Sequence, residues 1–462
     1  MVCQGTVGAI AQVLNASKIC LSDDVYFRGV STDSRQIEAG QIFVALRGEK
    51  FDGHQFIPSA IEKGAVLAIA DREHFTNSSS SLPLLVVENT LKAYQQLATW
   101  WRQQLTLPVI GITGSAGKTT TKELVTALLR CFLRDQRQVH KSIANENNEV
   151  GVPKTVLGID PQIHQFAVVE MAMRGRGQIA ELTRIAQPNI GVITNIGTAH
   201  IGLLGSQQAI AEAKCELLAE MPANSIAVLN ANDDLLLAVS AKVWQGKTIY
   251  YGLGRGDING NLMNDQLSII LANQEYRWRL PLLGEHNAMN FLAGLAVVHA
   301  LNLDLAQAQV ELSIDLPEGR ATIHDLGNNI LLFDETYNAS PSATIASLKL
   351  LAQTPAKRRW AVLGTNLELG HLSAELHQQI GRAVHDFGID FLIVLANPEA
   401  EQILQGLPQN SPVNTFICPD HQTIIELLTV HLGSGDRILC KASHGIEMEQ
   451  VVQGIVQWAR TE

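Results

Sequence analysis

Short, unbroken apolar runs recur along this chain, each followed by a turn and then by a segment with helical spacing. QFAVVEMA, NIGVITNIG and SIAVLNAND show the pattern after residue 107. A strand that is apolar at every position has no face to give to water, so both faces must be covered. Alternation with helices predicts a parallel sheet between two helical layers. After PEGRATIHD the rhythm restarts with NNILLFDE, RRWAVLGT, FLIVLAN, TFICPD and DRILCKAS, which predicts an independent doubly wound unit. Between them, NGNLMNDQLSIILANQEYRWRLPL alternates more and predicts antiparallel strands appended to the first sheet. Residues before about 105 mix strand-like runs (QIFVAL, AVLAIAD, PLLVVEN) with helical patterns near 55–64 and 91–104. Turn-rich STDSRQIEAG and LRGEKFDGH lie among them, and the polar tract TNSSSS at 76–81 predicts an exposed loop. A chain of 462 residues exceeds one ordinary core, and the breaks in rhythm divide it into 1–105, 106–313 and 314–462.

Bulk properties exclude several functions. A net charge of −11 argues against nucleic acid or an anionic membrane as the main partner. The cysteines at 3, 20, 131, 215, 418 and 440 form no CxxC pair and no zinc-type spacing, which suits a reducing cytosol. The N-terminal MVCQGTVGAIAQVLNASK lacks the basic start and apolar core of a signal peptide. No apolar run reaches the roughly 18 residues that span a bilayer. The expectation is a cytoplasmic protein with no direct membrane insertion.

The segment GITGSAGKTTTKE at 111–123 carries the strongest chemical signal. A strand ends at Thr113, glycines follow, and a helix is predicted from Lys118. That order aims backbone N–H groups and the positive end of a helix dipole at one point, a phosphate cradle. Lys118 reaches toward terminal phosphates and the Thr119 hydroxyl can ligate Mg2+. A standard GxxxxGK[ST] loop requires glycine at 112, where this chain has Ile112. The glycines stand at 111, 114 and 117, so the loop is not that of a generic GTPase or motor.

Phosphate chemistry needs divalent metal and oxygen ligands. Glu170 in AVVEMAMRG is a candidate at a predicted strand end, where a cap or an ion pair is the competing reading. His200 in NIGTAHIGLLGS is another, against a purely structural histidine. Lys214 in IAEAKCELLAE reads, on residues alone, as a solvated helix lysine, and the neighbouring Cys215 as a small buried residue.

The loop GxTGxxGKTT resembles that of the Mur ligase family, whose wider superfamily includes folylpolyglutamate synthase. Further segments carry the resemblance over nearly the whole chain: STDSRQIEAGQIFVALRGEKFDGHQFI, NENNEVGVPKTVL, EMAMRGRGQIAEL, TNIGTAHIGLLGS, LLGEHNAMNFLAGLAV, PEGRATI, FDETYNASPSA and KASHGIEMEQ. The resemblance implies an α/β protein of three domains: a small N-terminal domain for a UDP-sugar, a central P-loop ATPase domain and a C-terminal Rossmann-like domain that closes over ATP. It implies an ATP-dependent ligase that activates a carboxylate as an acyl phosphate and joins it to an amine. Ser31, Thr32, Asp33, Ser34 and Arg35, with the strand from Phe43 to Leu46, would take the UDP-sugar. Gly114, Ser115, Gly117, Lys118, Thr119 and Thr120 would hold ATP phosphates. Thr119 and Glu170 would share one Mg2+, and His200 with a carbamylated Lys214 a second. The fourteen-residue spacing from His200 to Lys214 is the family's for a lysine modified by CO2. Asn147 and Asn148 match a turn near the reacting carboxylate, Asn287 and Asn290 the adenine site, and Arg320 a phosphate contact. Asp334, Tyr337 and Asn338 match a loop across the ATP, with Asp334 on the ribose.

Within the family, the chain lacks the DNPR-type motif of the branch that adds the third peptide residue. It carries YNASP, as does the branch that adds D-alanyl-D-alanine to UDP-MurNAc-tripeptide. GTNLELGHLSAELH at 364–377 resembles that branch's turn toward the acceptor dipeptide. His444 stands where arginine is common, and His371 where an acidic residue or proline is frequent. The expected partners are the two substrates, with the protein a monomer. The alternatives are another ligase of the superfamily, or a nucleotide-binding protein that has lost ligase chemistry.

Overall fold

The unbroken apolar runs become buried strands in the computed structural model, which describes residues 2–48, 51–74 and 81–460. Residues 76–80 of the polar tract, expected as an exposed loop, lie outside the described residues. In the central region, Val139–Lys141, Phe166–Glu170, Val109–Thr113, Ile190–Ile193, Ile226–Asn230, Lys247–Leu253 and Ile258–Met263 lie side by side and parallel. Gln266–Leu271 and Gln274–Arg279 extend the sheet antiparallel. Burial alternates along these last strands, as expected where one face meets the core and the other water. The strands following Val109–Thr113 in sequence lie first on one side of it and then on the other. Its carboxyl end is therefore the topological switch point, where open α/β sheets bind ligands.

The C-terminal sheet runs in the order Thr322–Asp325, Leu331–Asp334, Asp436–Lys441, Arg358–Leu363, Phe391–Leu395, Asn414–Cys418. All its neighbours are parallel except the first pair. The antiparallel edge strand Thr322–Asp325 comes from ATIHD, which has too few residues to show a period. Two apolar clusters, drawn wholly from residues 330–455, fill the two sides of this sheet.

The N-terminal sheet orders Ser17–Ile19, Leu84–Val87, Leu67–Asp71, Ile42–Val44 and Val30–Ser31, antiparallel only at its first pair. A helix Val7–Val13, absent from the sequence reading, is capped by the Thr6 hydroxyl, which accepts from the Ala9 amide. The helix Thr90–Gln103, capped by Asn89, buries Tyr94, Leu97 and Trp101 in a cluster shared with the central unit. Each such side chain contributes about 1.5–3 kcal/mol. Cys3, Cys131, Cys215, Cys418 and Cys440 are free thiols. Among the described residues, no helix is long and apolar enough to cross a membrane.

Candidate active site

The phosphate loop leaves the strand Val109–Thr113 at the switch point and enters the helix Lys118–Arg130. Two glycines are required by geometry. Gly117 caps the helix at φ +80°, a conformation that other residues adopt at a cost. A Cβ on Gly114 would lie 1.8 Å from Thr194 Oγ1. The loop is clamped from the next strand end. The Ser115 amide donates to the Asn195 carbonyl and the Ala116 amide to Asn195 Oδ1, both at 3.0 Å, while Thr194 Oγ1 donates to the Ala116 carbonyl at 2.6 Å. The amides of Lys118, Thr119 and Thr120, as a first helical turn, have no intrahelical acceptor. Lys118 Nζ rests on the Gly114 carbonyl at 3.0 Å. Burial pushes its ammonium below the usual value, the Arg320 charge pushes the same way, and the Glu170 carboxylate opposes both.

Glu170 ends the neighbouring strand. Its Oε1 accepts from Thr119 Oγ1 at 3.2 Å and from Asn147 Nδ2 at 2.8 Å. Its Oε2 is buried with no hydrogen-bond partner. The amine of Lys122, itself fully buried, stands 3.8 Å from Oε2 and donates to the Ser142 carbonyl at 3.0 Å. A buried carboxylate oxygen without a donor carries a heavy desolvation cost. This one fits a hard divalent cation beside the Thr119 hydroxyl. Ser115 Oγ and Thr198 Oγ1 are likewise buried and unpartnered.

His200 and Lys214 come from the next elements outward. His200 caps the short turn Ile201–Leu204 at φ +64°, and its Nδ1 bonds a carboxylate oxygen of Glu368 from the C-terminal unit. Burial lowers the imidazole's proton affinity and Glu368 opposes the shift. Lys214 sits within the helix Gln207–Glu220 with its side chain buried. It is not the solvated lysine that the residues alone suggest. Among the described residues no carboxylate pairs with it. Burial pushes its ammonium well below the ordinary value, with Lys118 adding to the effect. A neutral amine is the form that can add CO2. Cys215 is buried, its thiol pushed up to about 12 by burial, and so is inert.

Asn147 reaches the site, but Asn148 does not: its Oδ1 accepts from the Val150 and Gly151 amides at 3.2 and 2.9 Å, starting the next helix. Asn287 and Asn290 lie buried on the helix Glu285–Ala300, packed on the phosphate-loop helix. Asn290 Oδ1 accepts from Thr121 Oγ1 at 3.3 Å, and Asn287 Nδ2 donates to the Leu283 carbonyl at 2.8 Å. A cavity of about 340 Å³ opens beside them, lined by Asn232, Leu253, His286, Met289, Lys349 and Leu350.

From the C-terminal unit, Arg320 stacks over the Tyr337 ring at 3.9 Å, and its Nε is buried and unpartnered. His444 stacks on the same tyrosine at 5.7 Å. Asp334 Oδ1 accepts from the Thr336 amide and hydroxyl, at 3.1 and 2.6 Å. Asn338 is exposed, and its carbonyl accepts from the buried Lys441 at 3.1 Å. His371 is exposed in the turn Gly370–Leu372. In the N-terminal unit, residues 31–35 form a self-contained turn. The Ser31 hydroxyl accepts from the Asp33 amide at 3.1 Å, and Arg35 grips the Asp33 carboxylate at 2.9 and 2.8 Å. Those hydrogen bonds hold the Asp33 acid down at about 2. Lys63 donates to the Ser34 carbonyl at 3.0 Å. Thr32 follows the strand end Val30–Ser31 in the same turn.

Sequence reasoning missed Thr194, Asn195, Lys122, Glu368 and Lys441. The run TNIG was visible, but nothing local says that an asparagine will fold back on a loop 79 residues earlier.

A glycine cradle at the switch point of a parallel sheet, with a strand-end acid sharing the first threonine of its helix, marks the class of P-loop α/β proteins. Comparison with known proteins narrows it. Family models described as Mur ligase middle domain, Mur ligase, glutamate ligase domain, and Mur ligase family, catalytic domain match residues 112–298, 319–444 and 26–102. The UDP-N-acetylmuramoyl-tripeptide–D-alanyl-D-alanine ligase of Synechocystis is 48% identical over 94% of this chain and 93% of its own. That of Bacillus subtilis is 32% identical over 94% of each. A crystal structure of MurF from Acinetobacter baumannii superposes with a TM-score of 0.87 over 99% of both chains at 28% identity. MurF from Thermotoga maritima in complex with ADP gives 0.81 over 94% of this chain and 98% of that one at 29% identity. The chain belongs to the Mur ligase family.

Proposed function

We infer that this protein is an ATP-dependent ligase that joins D-alanyl-D-alanine to the terminal carboxylate of UDP-MurNAc-tripeptide, giving the pentapeptide precursor of peptidoglycan. Full-length similarity to ligases of that name supports the activity. The observation that carries the chemistry is the Thr119–Glu170–Asn147 set under the phosphate loop, with Glu170 Oε2 accepting no hydrogen bond.

The substrate carboxylate attacks the γ-phosphorus of ATP, the bond to the bridging oxygen breaks, and ADP and an acyl phosphate result. The dipeptide's amine attacks the acyl carbon, and collapse of the tetrahedral adduct expels phosphate. Lys118 and the first-turn amides hold the β- and γ-phosphates and offset charge on the transferring group. Asn147 fixes Glu170 so that one oxygen stays on Thr119 and the other faces the site. Arg320, braced on Tyr337, adds a permanent cation from the C-terminal unit. Thr119 and Glu170 would hold one Mg2+, and His200 with a carbamylated Lys214 a second. Bound there, metal would screen the repulsion between triphosphate and carboxylate. The 340 Å³ cavity beside Asn287 and Asn290 suits the base of ATP, with Asp334, Tyr337 and Asn338 on the sugar and phosphate side. The turn 31–35, with the strand from Phe43 to Leu46, takes the UDP-sugar, and Asn148 acts as the cap that sets Asn147. Gly114, Ser115, Gly117 and Thr120 complete the cradle. The protein works in the cytoplasm as a monomer.

A phosphate-release assay with ATP, Mg2+, UDP-MurNAc-tripeptide and D-Ala-D-Ala tests this. Turnover must require both substrates, and ATP hydrolysis indifferent to the dipeptide would sink the reading. Replacing Lys214 with alanine is expected to remove turnover by more than about a hundredfold, since a metal ligand is lost. Short carboxylic acids should restore part of it, and full activity without them would remove the carbamate from the scheme.

A further inference from the structure

Two residues in left-handed backbone conformations face each other across the joint between the central and C-terminal units. His200 has φ +64° and Glu368 φ +63°. Positive φ is uncommon for residues other than glycine, and for a glutamate it persists where the surroundings hold it. The support is a direct backbone contact. The Gly202 amide donates to the Glu368 carbonyl at 3.0 Å. A Cβ on Gly202 would lie 2.6 Å from the Gly370 nitrogen, 2.7 Å from the Glu368 oxygen and 2.9 Å from the Leu369 carbonyl carbon. A Cβ on Gly370 would lie 2.9 Å from Gly202 Cα. Only glycine at both positions lets the turn after Leu367 sit flush on the turn after His200.

That contact sets the side chains. His200 Nδ1 donates to Glu368 Oε2. The other carboxylate oxygen lies 3.4 Å from Arg174 Nη2, so Glu368 is held from two sides of the central unit. With the Nδ1 proton committed to a carboxylate, a neutral ring carries its lone pair on Nε2. This is the tautomer a metal requires, fixed as it is in carboxylate–histidine–metal triads. Here the carboxylate belongs to a different structural unit from the histidine.

We propose that Glu368 is a positioning residue, carried in by the C-terminal unit, that fixes the His200 ring so that the second metal position on the central unit is complete only while the two units are docked. The proposal rests on the reading of His200 as a metal ligand. It ties metal retention to closure through one hydrogen bond. It also gives the segment 364–377, compared above with the turn toward the acceptor, a role at the metal end.

Mn2+ binding to the purified full-length protein with a non-hydrolysable ATP analogue tests it, read as free Mn2+ by electron paramagnetic resonance. Glu368→Ala is expected to weaken the looser Mn2+ site about 10- to 100-fold, without moving the thermal midpoint by more than a degree or two. Glu368→Gln should keep most of the affinity, because its amide oxygen still accepts from Nδ1. Gly202→Ala, which alters neither side chain, should weaken Mn2+ as Glu368→Ala does. Unchanged affinity in Glu368→Ala or in Gly202→Ala overturns the proposal. Equal losses for Gln and Ala overturn it too, since the glutamine oxygen keeps the hydrogen bond on which the proposal depends. His200→Asn is the control for the underlying reading: if it leaves Mn2+ binding intact, the ligand assignment fails. If it weakens binding while Glu368→Ala does not, only the positioning role fails.

Discussion

At the first joint of this molecule, Arg102 from the N-terminal unit sends its buried guanidinium into the central unit. It donates to the carbonyls of Ala186, Gln187 and Leu105 and to Asn189 Oδ1 at 2.8–3.0 Å, inside an apolar cluster drawn from both units. At the second joint, the C-terminal unit keeps its own two cores. It meets the central unit through Leu369, Leu372 and Leu376, which join the edge of that same apolar cluster, and through a glycine–glycine contact and charged pairs open to water. A dry joint with satisfied polar groups opens only with global unfolding. A small, wet one opens at modest cost. The turn 31–35 is thus fixed relative to the glycine loop, whereas the unit bearing Arg320 and Glu368 is held by the weaker of the two joints.

The contrast is broken most severely by cutting the first clasp. Arg102→Ala leaves several buried acceptors without donors, each costing about 1–3 kcal/mol, so a loss of about 3–5 kcal/mol is expected. Urea unfolding measures it. Arg102→Lys should recover little, because a single ammonium cannot reproduce the forked donors. A variant within about 1 kcal/mol of the parent would mean that the joint is not the dry clasp described.

Acid should loosen the same joint. His140 donates to the Thr155 carbonyl at 2.8 Å and lies 4.7 Å from the His164 ring. His140 thus backs the helix Gly151–Leu157, on which the N-terminal unit rests through the Cys3 amide and the Leu157 carbonyl. Burial, with His164 adding, pushes His140 down from 6.5 to about 4. Between those values the unfolded chain binds a proton that the folded chain refuses, so stability falls as pH falls through the window. The full term is about 3 kcal/mol. His140→Gln should lose about 2 kcal/mol less than the parent between pH 7 and 4.5, by urea unfolding at both. Equal slopes would place the acid sensitivity elsewhere.

The two joints were not equally legible from residues. The three sheets follow from unbroken apolar runs, and the phosphate cradle from strand, glycines and helix in register, because each signal is local. Arg102 shows only a helix-end arginine in WWRQQ, and Glu368 only a polar residue in a loop. Their partners lie 84 and 168 positions away in the chain, and no periodicity reports such pairing. Asn195 was hidden in the same way. Asn148 shows the converse: an asparagine before a helix caps it by ordinary short-range chemistry, and a place in a familiar segment says nothing against that. Lys214 needed the resemblance to stand out, since helical spacing alone cannot tell a buried lysine from a solvated one.

The smallest expected effect lies at the wet joint. Lys349 Nζ and Glu285 Oε2 pair at 2.6 Å across it, with both side chains more than two-fifths exposed. An exposed pair gains little over hydration and is screened by salt. Lys349→Ala should therefore change unfolding stability by less than about 0.5 kcal/mol. The difference should vanish in molar salt, where the Debye length is about 3 Å. The informative quantity is closure, read by small-angle scattering with and without nucleotide. If the joint opens readily, a lost surface pair should shift the open fraction slightly at low salt and not at all at high salt. A change of several kcal/mol, or one that survives high salt, would show Lys349 buried in a joint as dry as the first, and the asymmetry between the two would be gone.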